Sequence, residues 1–219
     1  MQRNIPAEIK KTFFEFLDGQ ITVTDFEQWV YKTEILEEVL NSDDYLELIS
    51  VYFTQRNETH YLDCRDRINN IIEKYISIAE YETWKLESLL NDFLNRKGNL
   101  VKILEQFYDL YCHGYRFLDN LGLGHGLDFS CYLTEIDEPN FRYFFPKTLT
   151  ATEIEREIEQ KVNNILPEVD EEIRKVLSWL EQGKIKIIDD PTFFYGVDYI
   201  DNKSELEKIP LYKITTVNE

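Results

Sequence analysis

The chain has 219 residues and a formal net charge of −18, and 14% of its residues are aromatic. Disordered chains contain few aromatic residues, so this composition predicts a folded protein with a sizeable core. The negative charge disfavours direct binding to nucleic acid or to an anionic membrane, and it favours encounter with a basic partner, whether a protein, a cation or a polyamine. The other interpretation is that the charge serves solubility alone.

Several features of the sequence favour a cytoplasmic location. No stretch approaches the roughly 18 uninterrupted apolar residues of a membrane span. The first residues run directly into a charged helical pattern and lack the apolar core of a secretory signal. The three cysteines, Cys64, Cys112 and Cys131, are an odd number without CxxC spacing, which predicts reduced thiols and no structural zinc. We expect neither a metal nor another cofactor.

Apolar residues recur at helical spacing through most of the chain, and capping residues mark where several helices begin. The first predicted helix covers residues 6–17 and ends at Gly19. The second begins at Thr24, where Glu27 completes a capping box, and it continues toward Leu40. Further helices are predicted after a cap at residues 41–43, after a polar loop at residues 55–59, and over residues 79–95 and 100–111.

The pattern changes in the glycine-containing stretch at residues 121–146. Its glycines and short aromatic runs predict loop and short strand. A second capping box follows at Thr150 and Glu153, with Leu149 and Ile154 as its hydrophobic staple. This box begins the longest periodic stretch of the chain.

Pro167 lies inside that long stretch and is expected to kink it or to divide it into two helices. After Gly183 the period changes, and the residues at 184–187 and 211–217 predict two strands. The predicted fold class is therefore mainly α (α+β), a multi-helix bundle with a small antiparallel β element in the C-terminal third. We expect a single domain over residues 1–219, whose candidate subdomains are 1–98 (helical) and 99–219 (helical plus the small sheet).

No constellation of residues in the sequence identifies a catalytic site. The histidines are His60, His113 and His125. His60 could supply metal ligands on a helix together with Asp63 and Cys64, but no second His/Cys cluster lies nearby to complete four-coordination. Cys112 and His113 are adjacent and point too far apart on a helix to form a nucleophile–base pair. The glycine turn at residues 122–126 lacks the preceding strand and following helix of a dinucleotide loop, and it is interpreted as a flexible or tight turn. An alternative function remains open, an enzyme or small-ligand-binding protein with a pocket near this turn. Its candidate ligand-binding residues are Cys112, His113 and His125.

The acidic segment, residues 25–47, contains eight acidic residues and one base, Lys32. Carboxylates interleaved with aromatic residues suit the recognition of a basic protein, because charge speeds encounter and aromatic side chains supply binding energy. The other interpretation places the aromatic residues in the core and the acidic residues on the solvated sides of two helices. The predicted partner-binding residues are Asp25, Glu27, Trp29, Tyr31, Glu34, Glu37, Glu38, Asp43, Asp44 and Glu47.

The runs FEQWVY at residues 26–31, LE at 36–37 and YLELIS at 45–50 resemble a pattern near the start of small bacterial proteins associated with toxin–immunity loci. The resemblance covers residues 16–53. It implies a cytoplasmic, non-enzymatic immunity protein that binds and neutralises a cognate toxin. Acidic immunity proteins often face basic nuclease toxins, so the charge of this chain agrees with the resemblance.

Overall fold

The computed structural model describes residues 5–51, 58–129, 150–190, 192 and 197–208. Contacts group the chain into two compact units, Met1–Lys85 and Leu86–Glu219. The predicted fold class, mainly α (α+β) with several helices and a small antiparallel β element in the C-terminal third, is confirmed.

The first unit consists of helices joined by short turns. Its helices are α1 (Ala7–Leu17), α2 (Val23–Lys32), α3 (Leu36–Val39), α4 (Ser42–Ser50), α5 (Glu58–Ile72) and the beginning of α6 (Ile78–Leu94), within which the division between the units falls. The predicted end of the first helix is confirmed, because Gly19 has a φ of 76° that suits glycine.

Three predictions about helix boundaries in this unit are wrong. The helix predicted from Thr24 toward Leu40 ends at Lys32, and residues 33–35 separate it from α3. Its N-cap lies two residues earlier than predicted, because Val23 is buried in the core and joins the first turn. The hydroxyl of Thr22, not of Thr24, therefore accepts the hydrogen bond from the Asp25 amide, at 3.1 Å. The predicted loop at residues 55–59 is too long, since α5 already includes Glu58, while residues 55–57 lie outside the described residues.

Aromatic side chains fill the centre of the first unit. Phe13, Phe16 and Phe26 are almost fully buried, and the ring centroids of Phe16 and Phe26 are 4.3 Å apart. Trp29 packs edge-on against Phe13, with centroids 5.8 Å apart. These contacts fix α2 on α1 and so determine which side chains of α2 reach the surface.

The second unit combines helices with one hairpin-like pair of strands. Its elements are the rest of α6, then α7 (Leu100–Cys112), a π-helical turn (Asn120–His125), α8 (Ala151–Glu181), β1 (Ile185–Asp189) and β2 (Val197–Asp201). The strands are antiparallel, with Ile185 opposite Asp201 and Asp189 opposite Val197.

Four predictions in this unit have definite outcomes. The strand predicted at residues 184–187 is confirmed as β1. The capping box of Thr150 and Glu153 is confirmed, with the Glu153 carboxylate accepting from the Thr150 amide at 2.8 Å. Pro167 lies inside α8, which continues through it as one helix and is not divided. The stretch that begins at residue 121 is helical as far as Asp128, so the prediction of loop there is wrong.

Other predictions fall on residues that the structure does not describe. Leu149 of the staple, residues 130–146 and the second predicted strand at residues 211–217 all lie outside the described residues. The strand that pairs with β1 is β2, which the sequence analysis missed.

Candidate functional site

The acidic segment presents most of its carboxylates to solvent. Its exposed acidic side chains are Asp25, Glu34, Glu37, Glu38, Asp43 and Glu47. Glu47 forms an ion pair with Arg67 at 3.6 Å, and both side chains are largely exposed. Among the residues that the structure describes, Glu34, Glu37, Glu38 and Asp43 form no ion pair. These carboxylates are therefore solvated and available to a basic partner.

The aromatic residues of the acidic segment divide between the core and the surface. Trp29 is half-buried and packs on Phe13 and Phe26, so the core interpretation holds for it. Tyr31, two residues later, is 59% exposed. Glu27 is partly exposed and lies on the same helix.

Asp44 differs from the other acidic residues of the segment because it is 4% exposed. Its carboxylate accepts hydrogen bonds from Lys74 Nζ and from the Tyr75 hydroxyl, each at 2.6 Å, and a further one from the Asn41 amide group. Burial alone would raise the pKa of Asp44, but these hydrogen bonds outweigh burial and lower it. Asp44 thus stabilises the junction of α4 with the end of α5 and is not part of the exposed set.

Two exposed apolar side chains of the acidic segment were missed by the sequence analysis. Ile35 is 46% exposed and Leu46 is 58% exposed. In α4, Asp44 and Leu48 are buried one turn apart, and Leu46 lies midway between them on the opposite side of the helix. A helical wheel drawn from the Asn41 cap would have placed Leu46 outside.

The second unit contains a cavity of about 400 Å³ beside the glycine turn. The π-helical turn contributes Asn120, Gly124 and His125 to its lining, and α8 contributes Glu168, Glu171, Glu172 and Lys175. Of the three residues named for the alternative function, His125 lines this cavity. Cys112 and His113 are exposed at the end of α7 and are not among the lining residues, so the structure does not bring the three together. Of the cysteines in the described ranges, Cys64 is buried and Cys112 is exposed.

Close packing against α7 fixes the backbone of the π-helical turn. A Cβ added at Gly122 would lie 2.6 Å from Cβ of Tyr111, and one added at Gly126 would overlap the carbonyl oxygen of Leu104. The turn was interpreted as flexible or tight, but these two glycines hold it directly on the helix. π-helical turns are rare and are frequent at functional sites.

A buried carboxylate forms the base of the cavity. Glu172 is 3% exposed, and its two oxygens accept from Asn120 Nδ2 at 2.8 Å and from Lys175 Nζ at 3.2 Å. Lys175 also pairs with Glu171 at 3.2 Å. Burial would lower the pKa of Lys175, but the carboxylates of Glu172 and Glu171 outweigh burial and raise it. The lysine is therefore charged and satisfies the buried carboxylate.

His125 is half-buried, and its surroundings favour the neutral imidazole. Burial lowers its pKa below the ordinary value, although the carboxylates of Glu168, Glu172 and Asp128 each act to raise it. A neutral imidazole has one nitrogen that donates and one that accepts.

The sequence offered one signal for the lining residues on α8. Glu168, Glu171, Glu172 and Lys175 recur at spacings of three, four and seven, which places them on one helix face. Glu172 also interrupts the apolar stripe between Val169 and Val176, where a buried acid needs a partner.

Within the described ranges the chain has neither a metal-ligand cluster nor a membrane-spanning helix. In these ranges no three His, Cys, Asp or Glu side chains are grouped so that they could hold a metal ion. Likewise, none of the helices in the described part of the chain has the length and apolar character needed to cross a membrane.

Comparisons with protein-family models, with curated proteins and with solved structures give no match to this chain.

Proposed function

We propose that this protein is a non-enzymatic cytoplasmic interaction protein, an immunity-type protein that binds and neutralises a basic bacterial toxin through the acidic segment. The observation that supports it is the exposure of Tyr31, Ile35 and Leu46 in a segment whose exposed carboxylates are mostly unpaired among the described residues. The resemblance of residues 16–53 to proteins of toxin–immunity loci agrees with this role.

The two kinds of exposed side chain have different tasks in such an interface. Glu34, Glu37 and Glu38 attract a positively charged partner and raise the association rate, an effect that falls with added salt. Tyr31 and Leu46 supply apolar area that is removed from water on binding, and this slows dissociation. A basic toxin domain with an apolar centre fits both.

A charge reversal tests this proposal. A pull-down from the native host identifies the partner, and surface plasmon resonance then measures the association rate. The triple variant Glu34→Lys, Glu37→Lys, Glu38→Lys should associate about tenfold more slowly at low salt and depend less on salt. The toxin should then no longer be neutralised when both proteins are co-expressed.

A matched control is available on α8. Glu155, Glu157 and Glu159 are exposed, so the same triple change to lysine alters the net charge of the protein by the same amount. The control variant should retain most of the association rate. Equal slowing in both triple variants would mean that only net charge matters, and a partner with an acidic surface would contradict the proposal outright.

A second candidate function is small-ligand binding in the second unit, in keeping with the alternative that the sequence left open. The observation that favours it is the cavity that places His125 beside the carboxylates of Glu168 and Glu172. Both candidate functions can belong to the same chain, since they use different residues.

A further inference from the structure

We propose that the cavity lined by the π-helical turn and α8 binds a small organic dication, an aliphatic diamine. All of the lining residues that the structure describes belong to the second unit, so the proposal does not depend on the partner of the acidic segment.

The cavity has the size of a small-molecule site. Its volume of about 400 Å³ lies within the range of about 300–1,000 Å³ that is usual for such sites. Its wall combines backbone at Gly124 with polar side chains, which orient a ligand through hydrogen bonds.

The charge of the lining favours a cation. Among the lining residues that the structure describes, three carboxylates, of Glu168, Glu171 and Glu172, and one ammonium, of Lys175, give a net charge of −2. Burial lowers the pKa of His125 and so favours its uncharged imidazole. An anion would be repelled, whereas a dication matches the lining and releases none of the existing ion pairs.

The three carboxylates differ in their capacity to accept further hydrogen bonds from a ligand. Both oxygens of Glu172 are engaged by Asn120 and Lys175, and Glu171 shares Lys175. Glu168 forms no ion pair within the described part of the chain, and it is near enough to His125 to act on the pKa of that imidazole. We therefore assign Glu168 and the accepting nitrogen of His125 to one ammonium group of the ligand.

The site is organised before any ligand binds. Gly122 and Gly126 hold the π-helical turn on α7, and the Asn120–Glu172 hydrogen bond of 2.8 Å joins the turn to α8. Groups that are fixed in advance lose little conformational entropy on binding, which favours affinity for a ligand with few contacts.

Isothermal titration calorimetry with 1,4-diaminobutane, a dication at neutral pH, tests the proposal, at about 150 mM salt so that diffuse attraction to an acidic protein is screened. The wild-type protein should bind one equivalent with saturation. Glu168→Gln removes one charge-assisted hydrogen bond and should weaken binding by about tenfold or more. Glu157→Gln, which removes the same charge from an exposed position on the same helix, should leave binding unchanged.

The histidine resonances give an independent readout in the same titration. The chain has three histidines, so the imidazole signals can be assigned individually. The diamine should shift the signals of His125 and lower its pKa further, because a bound cation disfavours imidazolium, and the signals of His113 should not move. Equal weakening in the two glutamine variants, equal displacement of the diamine by Mg²⁺, or the absence of saturation would overturn the proposal.

Discussion

The hydroxyl of Tyr75 joins α4 to the chain that follows α5, and Tyr75→Phe removes it without changing the shape of the ring. Tyr75 is buried, and its hydroxyl donates to Asp44 at 2.6 Å and accepts from the Asn41 amide at 2.9 Å. Both partners belong to the acidic segment. The substitution therefore tests whether this network holds the segment in place.

The hydrogen bonds of the Tyr75 hydroxyl determine how much free energy of unfolding Tyr75→Phe should lose. A hydrogen bond to a charged group contributes about 1.5–3 kcal/mol, and a donor left without an acceptor costs about 1 kcal/mol or more. The Asn41 amide becomes such a donor. We expect Tyr75→Phe to lower the free energy of unfolding by about 2–4 kcal/mol, which corresponds to roughly 5–15 °C in Tm for a chain of this length.

Urea and thermal unfolding followed by circular dichroism measure this loss, and Tyr81→Phe is the matched control. The Tyr81 hydroxyl also donates to a carboxylate, that of Asp18, but at 3.3 Å and at an exposed site. Its removal should cost no more than about 0.5 kcal/mol. If the two variants lost the same small amount, the buried network would not stabilise the fold as argued.

The hydrogen bonds to Asp44 also make the stability of the protein depend on pH in the acid range. The pKa of Asp44 is lower in the folded state than in the unfolded chain, since hydrogen bonds from Lys74, Tyr75 and Asn41 outweigh the effect of burial. Its contribution to stability is therefore complete above about pH 4 and is lost as the pH falls through the lowered pKa. Tyr75→Phe should reduce this acid-dependent loss, because it removes one of the groups that lower the pKa.

Two further predictions concern the second unit. Hydrogen bonds from Lys184 and Ser204 hold the pKa of Glu207 at about 2. The wild-type protein should therefore lose stability as the pH falls from about 4.3 to about 2, while Glu207→Gln should lose less over that interval. Identical acid unfolding curves for the two proteins would contradict this. Gly126→Ala should lower the free energy of unfolding by about 3 kcal/mol because its Cβ meets backbone that cannot rotate away. Gly98 has open space around it and a φ of 80°, so Gly98→Ala should lower the free energy of unfolding by only about 1 kcal/mol. If chemical denaturation showed a larger loss for Gly98→Ala than for Gly126→Ala, the packing argument would be refuted.

Features that depend only on residues close together in the sequence could be predicted from it. The capping box of Thr150 and Glu153 needs only two residues three apart, and the Asn41 cap and Gly19 stop are equally local. The start of α2 was misplaced because burial of Val23, a tertiary effect, favours the cap at Thr22 over the predicted one at Thr24. Local capping chemistry suits either threonine, and the core selects Thr22.

The cavity could be predicted only in part. The sequence pointed to the glycine turn and to His125, because glycine and histidine are informative residues wherever they occur. It could not pair Asn120 with Glu172, since 52 residues separate them. Nor could it distinguish a flexible turn from a π-helical one, because the distinction rests on the contact of Gly122 with Tyr111.

The excess of acidic residues gives both proposals a common physical origin. Even if each of the 24 lysines and arginines paired with one of the 42 acidic residues, 18 carboxylates would remain without a basic partner. Among the described residues, the buried acids are satisfied: Asp44 binds Lys74 and Glu172 binds Lys175. A buried carboxylate without a partner costs far more than an exposed one, so an ion pair contributes most at these buried positions. Within the same part of the chain, Glu34 and Glu168 form no ion pair, and a cation brought by a partner or a ligand can neutralise them.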